Sequence, residues 1–425
     1  MSDTLVCGID IGSTKVATVV GISSSESDEM RVIGFNATPS RGVKKGLIVD
    51  IDQATSSVEK SIEKAERMAG HQIKEAFVSV GGPHISSINS HGIVAVGNPK
   101  FEIVEDDVNR VIDAARAISL SNTRQIIDVT PREYSVDGQG GINNPIGMSG
   151  VRLEVDTHII TASSTNLKNI EKVLGDLGIQ NNGFIFSGVA SSEAVLTETE
   201  KDLGVALVDI GGGKVDISIY VEGSLSHSCS IPIGARHVSN DIAVGLRVSL
   251  DSAEKIKLFL SNNILESVSS GSKKDKQLLT ASKMEIVEKI PEVSAREVID
   301  GIIAPRIEEI YTYIKDELAR SGYEKSIPSG LVITGGGAMT VGMEEVGKRV
   351  VRLPIRIGIP SGATGLIDEI TSPMYASTLG LIYSGNRQLY ENNNNSIKDF
   401  NSILKNFSMS DIISRSKKLF KQFIP

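Results

Sequence analysis

Apolar residues recur at helical spacing in QATSSVEKSIEKAERMA, residues 53–69, where Val58, Ile62, Ala65 and Ala69 share one face. That spacing predicts an amphipathic helix. EDDVNRVIDAARAI, residues 105–118, predicts another. A longer amphipathic run covers 292–320, with Pro305 expected to interrupt it, because proline has no N–H to give and crowds the preceding turn. Shorter runs rich in β-branched residues read as strands. Two of them flank DIGSTK in LVCGIDIGSTKVATVVG, and two more flank DIGGGK in GVALVDIGGGKVDISIYVEG. Each set predicts strand, tight glycine turn, strand. Aligning Asp10 with Asp209 matches Asp-Ile-Gly-x-x-Lys-Val in both copies, 199 positions apart. Two lobes of related fold are therefore expected. LVITGGGAMTVGM, residues 331–343, places a third glycine turn after another strand.

Residues 83–165 have a different texture, with short β-like runs (SINSHGIVAVG, IIDVTPREYSV, VRLEVDTHIITAS) around the single helix at 105–118. This segment is expected to be an inserted subdomain. GSKKDKQ, residues 271–277, reads as an exposed loop, and ENNNNS, residues 391–396, as a linker without apolar content. Beyond the linker the patterning resumes. As a helix, 409–424 gathers Met409, Ile412, Ile413, Leu419, Phe420, Phe423 and Ile424 on one broad stripe. Arg415, Lys417, Lys418 and Lys421 lie on the other side or at its margin. Residues 397–407 carry a lesser stripe of Ile397, Phe400, Leu404 and Phe407.

Charge sharpens the picture of that tail. Residues 411–425 hold four cations and one carboxylate, so a chain of net charge −8 divides into a +3 tail and a −11 body. An acidic body argues against nucleic-acid binding, whereas a basic helix with Phe and Ile on its other face suits an anionic lipid interface. A helix docked on the protein itself is the plainer alternative. At 425 residues and 40% hydrophobic the chain can bury more than one core. Cys7 and Cys229 are the only cysteines, which fits a reducing compartment and leads to the expectation of no metal cluster and no disulfide framework. MSDTLVCGID lacks a basic stretch followed by an apolar run, so no signal peptide is expected. No run of about 18 apolar residues suggests a membrane span.

The paired turns suit phosphate. Glycines let the backbone turn sharply and present several N–H groups to one anion. Ser13, Thr14, Lys15 and Lys214 add hydroxyl and ammonium donors beside Gly12, Gly211, Gly212 and Gly213. Asp10 and Asp209, at the strand ends, could hold Mg2+ through its waters. An ordinary hairpin turn is the bland reading of either copy alone. GxxxxGK[ST] is absent, and no glycine turn is expected to open a helix as a dinucleotide site requires.

DIGSTK, DIGGGK and TGGGA, in this order and spacing, resemble the two phosphate loops and the adenosine loop of the actin, sugar-kinase and heat-shock chaperone ATPase superfamily. SRGVKKGLIVDID (40–52), NPIGMSGVRLEVDTHIITA (144–162), SGVASSEAVLTETEKDLGVALVDIGGG (187–213) and TSPMYASTLGLIYSG (371–385) narrow the resemblance to the bacterial cell-division family FtsA. The likeness covers nearly the whole chain, and 386–425 is only loosely matched. It implies an α/β, actin-like two-lobed ATPase fold of duplicated ribonuclease H-like domains, with an inserted 1C-type subdomain and a C-terminal amphipathic helix. The implied divisions are 1–82 with about 384–390 for the first lobe, and 83–165 for the insertion. The second lobe would take 166–235 and 325–383, with 236–324 as its outer subdomain 2B. A linker over 391–408 and a membrane-targeting helix over 409–425 would follow.

The resemblance also implies residue roles. Glu193, in ASSEAVL, would sit near the attacking water, a solvated helix glutamate being the alternative. Glu254 and Lys257, in SAEKIK, would flank the adenosine, a surface ion pair being the alternative. Gly335, Gly336, Gly337 and Ala338 would form the adenosine loop. Relatives usually have threonine where Lys214 stands, so a firm grip on phosphate is easier to expect than turnover, and at most slow ATP hydrolysis is anticipated. The implied ligands are ATP and Mg2+. The implied partners are the FtsZ-type tubulin homologue (its C-terminal peptide on 236–324), further copies of the chain in filaments, anionic membrane through Ile412, Ile413, Lys417, Lys418, Leu419, Phe420, Lys421, Phe423 and Ile424, and later division proteins. Localisation would be peripheral, on the cytoplasmic face of the cell membrane at the septum. A sugar-kinase-like phosphotransferase and a pilus-assembly ATP-binding platform of the same superfamily remain as alternatives.

Overall fold

A computed structural model describes residues 4–24, 29–98, 100, 102–264, 278–366 and 368–390. The loop expected at 271–277, the linker at 391–408, the lesser stripe at 397–407 and the amphipathic tail at 409–425 lie outside the described residues.

Both glycine turns close antiparallel hairpins. Thr4–Ile11 pairs with Lys15–Ser23, and Val205–Ile210 pairs with Val215–Val221. Val, Ile and Ala fill both faces of these strands, as expected of strands covered on each side. Each hairpin continues into a third antiparallel strand, Met30–Pro39 in one sheet and Ser224–Ile231 in the other. On its opposite side each first strand takes two parallel neighbours. These are Glu75–Val80 and Gln180–Phe186 in the first sheet, and Leu331–Thr334 and Ile355–Ile357 in the second. The two lobes thus repeat one strand order, and the echo between Asp10 and Asp209 is its trace in the sequence.

The repeat shifts the divisions expected from the sequence. Gln180–Phe186 belongs to the first sheet, and the helix Ser164–Asp176 buries Leu167, Ile170, Val173 and Leu174 in the first lobe's core. The first lobe therefore resumes after the insertion to complete its parallel strands, where the sequence reading had already moved to the second lobe. The return at the other end is also earlier than 384. Ala363–Gly365 pairs with Met30–Val32, and Leu379, Leu381 and Ile382 pack in the first core. Both errors concern long-range pairing, to which local patterning is blind.

The helix over 51–69 starts where Asp50 accepts a hydrogen bond from the Gln53 N–H and ends at Gly70 in the left-handed region. Pro305 does not break its run. Ala295–Val298 leads through a π turn, Ile299–Ile303, into Ala304–Ser321, with Pro305 in the first turn of that last segment. The Ala304 N–H reaches back to the Ile299 carbonyl, and the wide turn accommodates the proline ring.

Between the first lobe's strands lies a four-stranded antiparallel sheet, in spatial order Gln139–Ile142, Arg124–Val136, Arg152–Ser163, Ser86–Ala95. It is packed by the helix Glu105–Arg116 around Ile103, Val111, Ala115, Leu153 and Val155. A bulge lets the inner strand carry Pro131. This unit is threaded through the first lobe but leans on the edge strand of the second. His158 Nε2 lies 3.0 Å from Ser228 Oγ, the Ser228 N–H donates to Ser87 Oγ at 3.1 Å, and Arg132 stacks over Tyr323. Among the described residues no helix is long and apolar enough to cross a membrane.

Candidate functional site

The two hairpin tips meet face to face. Their turns are built alike: the Gly12 N–H donates to the Lys15 carbonyl and the Gly211 N–H to the Lys214 carbonyl, both at 2.9 Å. Side chains added at Gly212 or Gly213 would run into Thr14 and Ser13 of the opposite turn. Close approach, not a positive φ, thus favours glycine there, more sharply at Gly212 (2.3 Å to Thr14) than at Gly213 (3.0 Å to Ser13). Between the lobes lies a cavity of about 610 Å³, within the usual range of small-molecule sites.

Of the residues expected at the site, Asp10, Gly12, Ser13, Thr14, Lys15, Asp209, Gly211, Gly212, Gly213, Lys214, Glu254, Lys257, Gly335, Gly336 and Gly337 all line this cavity. Ala338 is buried just behind it. The third glycine turn does open a single 3-10 turn, Gly336–Met339, against the expectation that no glycine turn would lead into a helix. Gly335 is the position where glycine is obligatory. Its φ is +82°, and a side chain there would overlap Asp209 Oδ1.

The carboxylates are held by hydroxyls. Ser79 Oγ donates to Asp10 Oδ1 at 2.6 Å, and Thr378 Oγ1 to its other oxygen at 3.2 Å. Ser191 Oγ donates to Asp209 Oδ2 at 2.6 Å. Burial, then the charge of Asp216, pushes the Asp209 carboxyl up to about 6, against hydrogen bonding from Ser191 and the charge of Lys214. Lys15 donates to the Met374 carbonyl and sits 4.5 Å above the Tyr375 ring. Burial lowers its pKa, while Asp10 and Asp209 hold it up. On the far wall Lys257 donates to Glu254 at 2.8 Å and to Ser239 at 3.1 Å. These two were expected to flank the adenosine, and here they pair with each other on the cavity wall.

Two expected roles change. Lys214 does not point freely at the cavity: its ammonium is paired with Asp216 and donates to Ser187 Oγ at 2.6 Å. Glu193 does not line the cavity at all. Its carboxylate is held by Lys201 at 3.5 Å and Arg387 at 3.3 Å, so the water-positioning place expected of it is not where the chain puts it. The helix Ser187–Val195 turns Ser187 and Ser191 towards the carboxylates, and Glu193 lies off that face.

Asp216 went unassigned in the sequence, though it stands two residues after Lys214. It is 1% exposed, lines the cavity, and keeps its Oδ1 without a hydrogen-bond partner. The cavity also takes in Arg236, Ser239, Met339, Met374 and Ser377. Met374 and Ser377 lie within TSPMYASTLG, whose pattern gave resemblance but no chemical signal. Asp10, Asp209 and Asp216 give the cavity three carboxylates.

Comparison with known proteins gives this geometry its context. A family model for the SHS2 domain inserted in FtsA matches residues 82–161, and one for cell division protein FtsA matches 206–380. The chain is 38% identical over 384 residues to a cell division protein FtsA of Pseudomonas aeruginosa, covering 90% of each. It is 37% identical to that of Borreliella burgdorferi, covering 90% of this chain and 91% of that one. With the Escherichia coli protein the figures are 34% and 90% of each. Among solved structures, a type IV pilus biogenesis PilM–PilN complex superposes with a TM-score of 0.60 at 14% identity, covering 89% of this chain and 98% of that one. At that identity the likeness speaks for the actin-like fold alone.

Proposed function

The chain belongs to the FtsA family of cell division proteins, and on that premise we propose that it binds ATP with Mg2+ between its paired hairpins and fastens the division scaffold to the membrane. The observation that carries the nucleotide reading is the meeting of two like-built glycine turns over a cavity lined by Asp10, Asp209 and Asp216. Backbone N–H groups of both turns would cradle the phosphates, with Mg2+ water-bridged to the carboxylates. Lys257 and Glu254 would border the base. Lys214, neutralised by Asp216, stands where relatives usually have threonine, and slow hydrolysis at most is expected.

The tethering half rests on the basic, amphipathic residues 409–425 of an otherwise acidic chain. The FtsZ-type scaffold would bring its C-terminal peptide to 236–324, the protein would assemble into filaments, and later division proteins would follow. Co-sedimentation tests the whole reading. The full chain should pellet with anionic liposomes and bring FtsZ down with it. ATP should alter that pelleting or the filaments formed. Failure to recruit FtsZ to lipid would overturn the tether, and calorimetry without detectable ATP binding would overturn the nucleotide site. A crosslinked scaffold peptide found on 83–165 instead of 236–324 would overturn its placement.

A further inference from the structure

Outside the lining of the cleft, three side chains of different chemistry converge. His227 and Cys229 are two apart on the strand Ser224–Ile231, so their side chains leave the same face. Glu317 comes from the helix Ala304–Ser321 packed against that face. One donor atom from each lies within 4.8 Å of both others. Cys229 and Glu317 are buried, and His227 is about one-fifth exposed. His227 Nε2 is 2.8 Å from Glu317 Oε1, and the Cys229 sulfur lies within 4.8 Å of both.

We propose that His227, Cys229 and Glu317 form a binding site for a borderline-soft divalent transition metal of the Zn2+ class, clipping the second lobe's edge strand to its outer helix. The donor set is the reason. One imidazole nitrogen, one sulfur and one carboxylate oxygen is a combination Zn2+ accepts, with a fourth tetrahedral position left for water. Tetrahedral bonds of about 2.0–2.3 Å set neighbouring donors roughly 3.3–3.7 Å apart, so the nitrogen and oxygen, now 2.8 Å apart, would open by about half an ångström and the sulfur would close by about 1.5 Å at most. Charge also balances, since a thiolate and a carboxylate neutralise the dication. Binding releases the thiol proton to solvent, and the imidazole keeps its proton on Nδ1 while Nε2 turns its lone pair to the metal. His227, at the rim, gives access. Arg320, which pairs with Glu317 and whose side chain is 73% exposed, is free to turn outward as the ion enters. Mg2+, which demands oxygen donors, does not suit this site.

Cobalt makes the test spectroscopic. Co2+ titrated into chelator-stripped full-length protein should give a thiolate-to-metal charge-transfer band and the intense visible bands of tetrahedral cobalt, and stoichiometric Zn2+ should bleach both. Cys7 lies in the core of the other lobe, so Cys7→Ser should keep the band while Cys229→Ser abolishes it. Glu317→Gln should weaken Zn2+ at least tenfold, and about one proton should be released per Zn2+ bound in lightly buffered solution. Zn2+ should also raise the melting temperature of the parent and not of Cys229→Ser. The proposal is overturned if no thiolate band forms at micromolar Co2+, or if the band survives Cys229→Ser. The three residues would then be a hydrogen-bonded latch. Should Cys229→Ser fail to fold, proton release and the parent's thiolate band decide the matter on their own.

Discussion

Asp209 and Asp216 stand directly opposite one another across the second hairpin, two buried carboxylates on neighbouring strands of one sheet. Such a pair repels itself, and Lys214, reaching Asp216 from the turn between them, supplies the compensating charge. The cation that looked like a phosphate hook in the sequence is thus an internal counter-ion. Replacing it by threonine should leave the pair to be neutralised by a divalent ion alone. Lys214→Thr should therefore lose at least tenfold in ATP affinity in EDTA, while in excess Mg2+ it stays within about threefold of the parent. Equal losses in both conditions, read by calorimetry, would show that Lys214 contacts the phosphates directly.

The raised carboxyl of Asp209 makes a pH prediction. Its ordinary value is 3.8 and its folded value about 6. Between these the folded chain holds more protons than the unfolded one, so stability falls as pH rises through that window, and the full cost remains above it. Asp209→Asn removes the cost. In nucleotide-free buffer the variant should be the more stable at pH 7.5, by at most about 3 kcal/mol, with the advantage gone near pH 3.5. An advantage of equal size at both pH values would refute the assignment.

Two adjacent glycines should respond differently. Gly335 has φ +82° and its side-chain direction is blocked by Asp209 and the Ile210 carbonyl, whereas a side chain at Gly336 would come no nearer than 3.6 Å, to Met374. Gly335→Ala should lower the melting temperature by several degrees, the strain alone being about 1–2 kcal/mol, and weaken ATP binding at least tenfold. Gly336→Ala should melt within about a degree of the parent. Similar melting of both variants would contradict the geometry.

Glu193 offers a negative prediction. Because it is committed to Lys201 and Arg387, Glu193→Gln should leave ATP binding and hydrolysis within about twofold, and any loss should appear in stability instead, since its partner Lys201 is buried. A tenfold fall in hydrolysis in a normally folded variant would restore its water-positioning role.

For the tail, Phe420→Glu sets a charge in the apolar stripe, where burial without a partner is costly. Liposome flotation should be lost and the melting temperature kept. Neutralising Lys417, Lys418 and Lys421 together should weaken flotation chiefly on anionic lipid, as added salt should. Retained flotation with a lowered melting temperature would mean a helix docked on the body.

What the sequence made legible was whatever lies close along the chain: both hairpins, the helix over 51–69, and the glycines that must stay bare at the cleft. The duplication itself was readable because Asp10 and Asp209 sit in matching local strings. What it hid was non-local. Nothing near Gln180 says that its strand will join the first sheet, and nothing near Ala363 says that it will pair with Met30. The same blindness misplaced Glu193, whose partners Lys201 and Arg387 are set by the packing of separate segments. Asp216 was overlooked because its opposition to Asp209 exists only once the hairpin closes.

The inserted sheet grows from one lobe and rests on the other, through contacts such as His158 with Ser228 and Ser87 with the Ser228 backbone. Its seat is largely polar. An apolar seam would weld the lobes together, whereas hydrogen bonds of this kind can be traded for neighbours or water at little net cost. Any widening of the cleft would therefore be felt as slip along this seat, whose strand also carries Ser230, the partner of the Gly82 N–H.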